Sequence, residues 1–455
     1  MKSKILVMLF GGFMLNIVNA IQVAGNMNNL GNIIPYIGSY YYHLDNSVSI
    51  SDFVILSSIS YFSDVVVTAS CSFLLKILTP HSIILFGVTI AFTGLFISSF
   101  ITNPYLFCWV FGLSFGMIPA AIFLPSVWII WNNIPENKAK TSGILLACYS
   151  FGPVPYTFLF TMIANPYDYP AETVKTEGKE EEKVFGEFVS YRVPMTIRWV
   201  VMTYCICCII GLICLPRKWI SENENQKIQT TMGLKDIIKK GKFWNLILLL
   251  ACCLSNLSYT QNIFKIIGMI SIKDDHFISF IGSGSFFISV FGRVLYGILL
   301  DKYSWKRVMV ITYIIEIFFS ITFTATFSSK FWYALYLFTF AFLNTAMYNS
   351  VMIQTSRNFP KDKWVFNFVS IGNTAMYNSV MIQTSRNFPK DKWVFNFVSI
   401  GMLWSFTLPY LLQKFITPYI GYFFTILIVT LFTVISMFQT IFHPLGEETN
   451  DKLLG

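Results

Sequence analysis

The sequence predicts an all-α polytopic membrane protein with twelve transmembrane helices in two six-helix halves. Its 455 residues are 55% hydrophobic and 18% aromatic but only 12% charged, and the mean hydropathy is +0.60. Soluble proteins carry about 25% charged residues, so this composition excludes an ordinary soluble protein. Long apolar stretches such as 420–442 do not alternate polar and apolar residues, which argues against an outer-membrane β-barrel.

Twelve segments are long and apolar enough to cross the membrane as helices, which takes about 20 residues. They are 5–23, 53–78, 83–101, 105–131, 141–164, 199–215, 243–263, 277–300, 308–327, 331–354, 393–412 and 420–442. The first resembles a signal peptide, but eleven further spans favour a helix that is retained. All nine cysteines lie inside these spans and no CxxC pair lies in a loop, so we expect no metal site and no cofactor.

Basic residues indicate the orientation of the helices. The N-terminus and the loops after even-numbered spans carry about twice as many Lys and Arg residues as the opposite loops, so both termini are predicted to be cytoplasmic. Residues 216–242 form a basic cytoplasmic linker between an N-terminal half (1–215) and a C-terminal half (243–442), and 443–455 form a cytoplasmic tail. The net charge of +9 then reflects topology, not nucleic-acid binding.

An exact repeat complicates the helix count. Residues 344–372 recur without change as 373–401, inside the C-terminal half. Each copy contains half a helix, a charged loop and the start of the next helix, so the duplication adds a thirteenth segment at 364–383. We interpret the second copy as a recent duplication or a sequence-assembly error. The alternative is a deliberate extra helix, which would move the C-terminus across the membrane.

The most specific motif lies at the end of the eighth span, where the chain reads GRVLYGILLDKYSWKR. Its glycines and charged residues are Gly292, Gly297, Asp301, Lys302, Lys306 and Arg307. Gly297 permits close approach of a neighbouring helix, and the four charged residues form a hinge at the membrane face. The string resembles the cytoplasmic loop signature of the major facilitator superfamily, specifically its oxalate/formate antiporter and monocarboxylate transporter branch. The loop after the second span lacks the corresponding glycine and aspartate.

Three ionisable residues lie within the spans, where charge is costly and commonly functional: Asp64, Arg293 and Glu316. Ser285, Ser289 and Arg293 follow at four-residue steps and share one helix face, which suits a water-filled cavity. The resemblance implies that Arg293 binds the substrate carboxylate, and a guanidinium can hold two carboxylate oxygens. We therefore predict Arg293, Ser289 and Ser285 as substrate-binding residues.

Other roles for these charges stay open. Arg293 and Glu316 lie at similar depths on neighbouring spans, so they could form a structural ion pair. Asp64 could carry a coupling proton or accept hydrogen bonds from a neighbouring helix.

The sequence thus predicts a secondary active transporter that moves a small organic anion, mono- or dicarboxylate-like, by alternating access. Its partners would be the solute, the lipid bilayer and a coupling proton or counter-anion. A carrier of a neutral solute such as an amino acid or a sugar is the alternative, with Arg293 as a packing residue. An enzyme is disfavoured because all four histidines lie outside the spans. A channel fits the two-half plan poorly.

Overall fold

The protein is mostly helical in the residues that the computed structural model describes. These are 2–18, 28–74, 77–133, 145, 148, 151–175, 181–216, 241–326, 329–343 and 399–442. The helices before residue 217 are α1 (Lys2–Ile17), α2 (Asn28–Leu44), α3 (Ile55–Leu74), α4 (Pro80–Ser98), α5 (Pro104–Asn133), α6 (Pro153–Ala164), α7 (Glu187–Ser190) and α8 (Val193–Cys214). The later helices are α9 (Gly241–Ser271), α10 (Asp275–Lys302), α11 (Trp305–Thr326), α12 (Lys330–Leu343), α13 (Ser399–Phe415) and α14 (Thr417–Phe442).

Local sequence signals fix where several helices begin. Thr79 caps α4 by accepting a hydrogen bond from the backbone N–H of Ser82, and Pro80 supplies the preset φ of a first helical turn. Asp274 caps α10 by accepting from the backbone N–H of Phe277 at 2.8 Å. These caps satisfy backbone donors that the first turn of a helix leaves unpaired.

The surface of the described helices is largely apolar, and several polar side chains are buried within the mainly apolar interior. Ile213 and Phe331 are 74% and 68% exposed, whereas Asn16 and Asn256 are almost fully buried. Within the described residues, five helices are long and apolar enough to cross a membrane, judged by length and composition: Ile50–Thr68, Pro80–Ser98, Pro104–Ile130, Glu187–Cys214 and Thr417–Phe442. This inversion of the usual soluble pattern fits helices whose outer faces contact lipid.

Close helix crossings build the N-terminal part of the bundle. A Cβ added at Gly116 on α5 would lie 1.8 Å from the backbone oxygen of Ser60 on α3. One turn earlier, a Cβ on Gly112 would lie 2.8 Å from the side chain of Ile59. Only glycine permits two helix backbones to approach this closely, so these two positions set the α3–α5 distance.

A short hairpin covers one end of α2. Strands β1 (Glu172–Lys175) and β2 (Glu181–Val184) pair antiparallel, with Glu172 opposite Val184. Directly after β2, the N–H of Phe185 donates to Ser39 of α2 at 2.9 Å, and the Phe185 ring stacks on Tyr36 at 4.7 Å between ring centres. The hairpin is therefore anchored to α2.

Each of the twelve predicted spans overlaps a helix, but two regions differ from the sequence-based expectation. The segment after the first span, expected to be a connection, contains α2 with Pro35 inside it. The seventh span, predicted at 243–263, continues as helix to Ser271. Residues 217–240 of the predicted linker, 344–398 of the repeat and 443–455 lie outside the described residues. The thirteenth segment, the two halves and the orientation of the termini therefore stay predictions.

Candidate functional site

A buried ion pair joins the end of α9 to the start of α10. The Nζ atom of Lys265 lies 2.7 Å from Oδ1 of Asp275, and the two side chains are 0% and 2% exposed. Taking two charges out of water is costly, and their attraction offsets the cost only when further hydrogen bonds satisfy both groups. The surrounding residues supply those bonds.

Helix α2 contributes the first set of partners. Lys265 Nζ donates to Asn32 Oδ1 and to the Tyr36 hydroxyl oxygen, both at 2.9 Å. The Tyr36 hydroxyl in turn donates to Asp275. Nζ also lies 4.0 Å from the centre of the Tyr36 ring, which adds a cation–π contact. One tyrosine of α2 thus contacts both members of the ion pair.

Helix α6 contributes the second set. The Asn165 amide donates to Asp275 Oδ2 at 2.9 Å, and the Thr161 hydroxyl donates to Ser279 Oγ at 2.8 Å. Ser279 also accepts from Lys265 at 2.9 Å. We call this network the Lys265 junction, and its members are Asn32, Tyr36, Thr161, Asn165, Lys265, Asp275 and Ser279. It connects two helices that precede residues 217–240 with two that follow them.

Further polar contacts link the same two groups of helices around the junction. The backbone N–H of His276 donates to Asp168 at 2.9 Å, and Lys414 of α13 lies 3.2 Å from Asp52. Partial loss of water contact raises the pKa of Asp168, which lies in the connection after α6, above its ordinary value. The predicted topology puts this end of the bundle on the non-cytoplasmic side, and we call it the outer end.

The predicted substrate-binding serines both lie buried on α10. The Ser289 hydroxyl donates to the backbone oxygen of Ser285 at 3.0 Å and approaches that of Ala341 on α12 at 3.3 Å. Ser285 donates to the backbone oxygen of Ile281 and lines a cavity of about 20 Å³, together with Thr260 and Gln261 of α9. The side chain of Arg293 lies outside the described residues, so its substrate contact stays a prediction.

The other two predicted intramembrane charges are also buried. Asp64 is 3% exposed on α3, and Glu316 is 0% exposed on α11. Glu316 accepts a hydrogen bond from the Asn256 amide of α9 at 2.8 Å. The same amide nitrogen lies 3.0 Å from Ser320 Oγ and 3.3 Å from Thr433 Oγ1 of α14. We call these four residues, Asn256, Glu316, Ser320 and Thr433, the Glu316 cluster.

The predicted loop motif lies at the turn between α10 and α11. Helix α10 ends at Lys302 and α11 begins at Trp305. Gly292 is buried, whereas Lys302 and Arg307 are exposed and Lys306 is partly buried. The side chain of Asp301 and the surroundings of Gly297 lie outside the described residues, so the contacts of the hinge stay a prediction.

Sequence reasoning missed the Lys265 junction. Lys265 lies two residues beyond the predicted end of the seventh span, and Asp275 lies two residues before the predicted start of the eighth. The signal was the apolar run Ile266–Met269 after Lys265, since an apolar helix that continues past a lysine implies a buried partner for its charge.

Comparisons with known proteins agree with this architecture. A family model described as Major Facilitator Superfamily matches residues 20–365. The nucleoside transporter NupG has a similar structure, with 14% identity and a TM-score of 0.62 over 98% of this chain and 100% of that chain. A bacterial homolog of the human lysosomal transporter Spinster, inward-facing and occupied, gives 13% identity and a TM-score of 0.62, covering 97% and 96%. A search of curated proteins finds no match.

Proposed function

Because the chain belongs to the Major Facilitator Superfamily, whose members are transporters, we propose that it is a secondary active transporter of a small organic anion. The solute is a mono- or dicarboxylate, and it crosses by alternating access between two six-helix halves. The observation that supports alternating access is the Lys265 junction, because its two charges lie on helices after the predicted linker, whereas Asn32, Tyr36 and Asn165, which satisfy them, lie before it.

Alternating access requires contacts that form in one state and separate in another. In the described conformation the Lys265–Asp275 pair depends on Asn32, Tyr36 and Asn165 to satisfy its charges. Separation of α2 and α6 from α9 and α10 would replace these partners with water. The junction therefore acts as a closure of the outer end, and solute binding supplies the free energy that favours one state over the other.

Arg293 is the proposed ligand for the solute carboxylate. It follows Ser289 by one helical turn and Ser285 by two on α10, and Ser285 lines the small cavity between α9 and α10. A guanidinium can hold both oxygens of a carboxylate, and the serine hydroxyls on the same helix face would add neutral hydrogen bonds. Asp64 is the proposed carrier of a coupling proton.

A neutral solute is the second candidate, and the uncharged lining of the described cavity favours it. The polar side chains that line the cavity are uncharged: Thr260, Gln261 and Ser285. One solved structure with this fold is named as a nucleoside transporter. In this case Arg293 would be a packing residue and its charge would not affect uptake.

Uptake into proteoliposomes tests the proposal. Purified protein would be screened with radiolabelled monocarboxylates, dicarboxylates, nucleosides, amino acids and sugars. Saturable uptake with counterflow of a carboxylate supports the organic-anion carrier, saturable uptake of an uncharged solute alone contradicts it, and an unsaturable current indicates a channel.

A matched pair of arginine variants then tests the proposed ligand. Arg293→Lys keeps the charge but loses the bidentate fork, so we expect it to abolish uptake while the protein stays folded and correctly localised. Arg217→Lys, in the predicted linker and outside the loop motif, keeps its charge and should transport normally. Full uptake by Arg293→Lys would remove the assigned role of the guanidinium.

A further inference from the structure

Glu316 lies in the middle of α11 with one carboxylate oxygen unsatisfied. It follows the first residue of this helix by eleven positions, or about 16 Å along the axis. Its side chain is 0% exposed and Oε1 accepts from Asn256 at 2.8 Å. Oε2 is buried without a hydrogen-bond partner. An ionised carboxylate left in this way inside a membrane protein is strongly unfavourable.

The described groups that face Glu316 supply no positive charge. Helix α9 contributes Asn256 and the thiol of Cys253, α10 contributes the phenol of Tyr296, and α11 itself contributes the phenol of Tyr313. Helix α14 contributes the hydroxyl of Thr433. Thiols and phenols are neutral or negative, never cationic. Within the described part of the chain, no Lys, Arg or His forms an ion pair with Glu316.

The orientation of Asn256 argues against a metal ion at this site. Its amide nitrogen, a donor, points toward oxygens of Glu316, Ser320 and Thr433. A metal cation would require the amide oxygen to face the site, because cations bind oxygen lone pairs. An amide donor satisfies Oε1 of a carboxylic acid and of a carboxylate alike, so the full burial of Glu316 and its unpartnered Oε2, which both disfavour the ionised form, carry the assignment of a proton.

We propose that Glu316 is a proton-binding site of the transport cycle. In the described conformation the proton resides on Oε2, which makes the buried side chain neutral. When α9, α11 and α14 rearrange and water reaches the cluster, the O–H bond breaks, the proton passes to water and the carboxylate becomes hydrated. Re-closure requires a proton to return from water to the carboxylate. This assignment rests on the proposed transport function and adds a second proton-binding carboxyl to Asp64, so that loss of either one removes the response of uptake to a pH gradient.

Infrared difference spectra between wild-type protein and single variants test proton binding without measuring transport. Purified protein at neutral pH should show a C=O stretch of a protonated carboxyl group that is absent in Glu316→Gln. The matched control is Glu182→Gln, because Glu182 accepts hydrogen bonds from Ser49 and Ile50 outside the spans; this variant should keep the band. If wild-type protein and Glu316→Gln give the same spectrum, Glu316 is ionised and the proposal is overturned.

The melting temperature of Glu316→Gln distinguishes a protonated Glu316 from an ionised Glu316 that pairs with Arg293. Glutamine has the shape of a protonated glutamate, so Glu316→Gln should melt at the wild-type temperature. Severe destabilisation that Arg293→Met reverses would show that Glu316 is an ionised partner of Arg293, and would also overturn the proposal. If Glu316→Gln gives too little protein, Glu316→Asp provides a second measurement, since a protonated aspartate shifts the same band.

Transport then tests whether the proton moves. Glu316→Gln should retain counterflow exchange but lose all stimulation of uptake by a pH gradient. Undiminished stimulation would show that the proton is static and that it does not couple. If wild-type protein transports no carboxylate while the infrared band is present, the solute assignment fails and proton binding stands.

Discussion

Replacement of Lys265 by methionine tests the central role of the Lys265 junction. Methionine keeps much of the length and apolar character of the lysine stem but removes the ammonium. Asp275 would retain donors from Tyr36 and Asn165, but its charge would have no cation beside it in the closed conformation. In a conformation with an open outer end, water would solvate the same carboxylate. The substitution should therefore destabilise the closed conformation selectively.

The expected shift in the equilibrium between the closed and open conformations follows from the burial of the Lys265–Asp275 pair. Removal of one member of a buried ion pair costs about 3–5 kcal/mol, and the exposures of 0% and 2% place Lys265 and Asp275 in that class. Because 1.4 kcal/mol is about tenfold in an equilibrium constant, the population with an open outer end should rise roughly a hundredfold to a few thousandfold. The two retained hydrogen bonds favour the lower part of that range.

A second ion pair at the same end of α10 provides the control. Lys330 pairs with Asp274, the residue next to Asp275, but the Lys330 side chain is 54% exposed. Exposed pairs contribute about 0–1 kcal/mol, so Lys330→Met should change the same equilibrium less than about fivefold. Comparison of the two lysine variants isolates the effect of burial.

Hydrogen–deuterium exchange of α2 amides measures the opening. Peptides that cover Asn28–Leu44 should exchange much faster in Lys265→Met than in wild-type protein, and near the wild-type rate in Lys330→Met. Adding Asp275→Asn to Lys265→Met removes the orphaned charge and should restore most of the protection. Equal exchange in the two single variants, or no recovery in the double variant, would refute the reasoning.

Two further predictions concern Asp64 and the α3–α5 crossing. Asp64→Asn should convert pH-driven uptake into exchange only, as measured by uptake with and without a pH gradient; an unchanged response to the gradient would rule out Asp64 as the proton carrier. Gly116→Ala should reduce the free energy of unfolding by at least the roughly 1–3 kcal/mol typical of overpacking and so lower the melting temperature, because the new methyl group would collide with the Ser60 carbonyl. Gly186→Ala is the control, since no atom lies within 4 Å of its added Cβ; equal melting of the two variants would contradict the close-crossing argument.

The apolar spans could be predicted from sequence because lipid imposes a simple requirement on them. A helix that crosses hydrocarbon must be long and apolar, and α4, α5 and α14 satisfy this locally. Helix α2 could not be predicted in the same way. It contains Pro35, four tyrosines and three asparagines with intervening glycines, and its burial comes from packing against α6, α9 and the hairpin rather than from its own hydropathy.

The Lys265 junction could not be predicted from the sequence for a related reason. A lysine inside an apolar run is read as the end of a span, because a lone charge in lipid is costly. Lys265 remains inside a helix because partners more than 200 residues away, Asn32 and Tyr36, satisfy its ammonium. A sequence segment of about twenty residues, the length of one span, contains no information on partners so far away along the chain. Asp64 and Glu316 were recognised because they lie in the centres of their spans, where no choice of boundary could exclude them.

Helix α9 provides a physical connection between the two buried sites. The partners of Glu316 lie on α9, α11 and α14, all after the linker, so separation of the outer end would not by itself change the Glu316 cluster. However, α9 carries both Asn256 and Lys265, which are nine residues or about 13 Å apart along one helix. Release of Lys265 from Asn32 and Tyr36 frees one end of α9 to shift, and a shift of α9 moves the amide that satisfies Glu316. We therefore expect Lys265→Met to weaken the protonated-carboxyl band of Glu316, whereas Lys330→Met should leave it unchanged. An unaltered band in Lys265→Met, together with faster exchange of α2, would show that the outer closure and the proton site act independently.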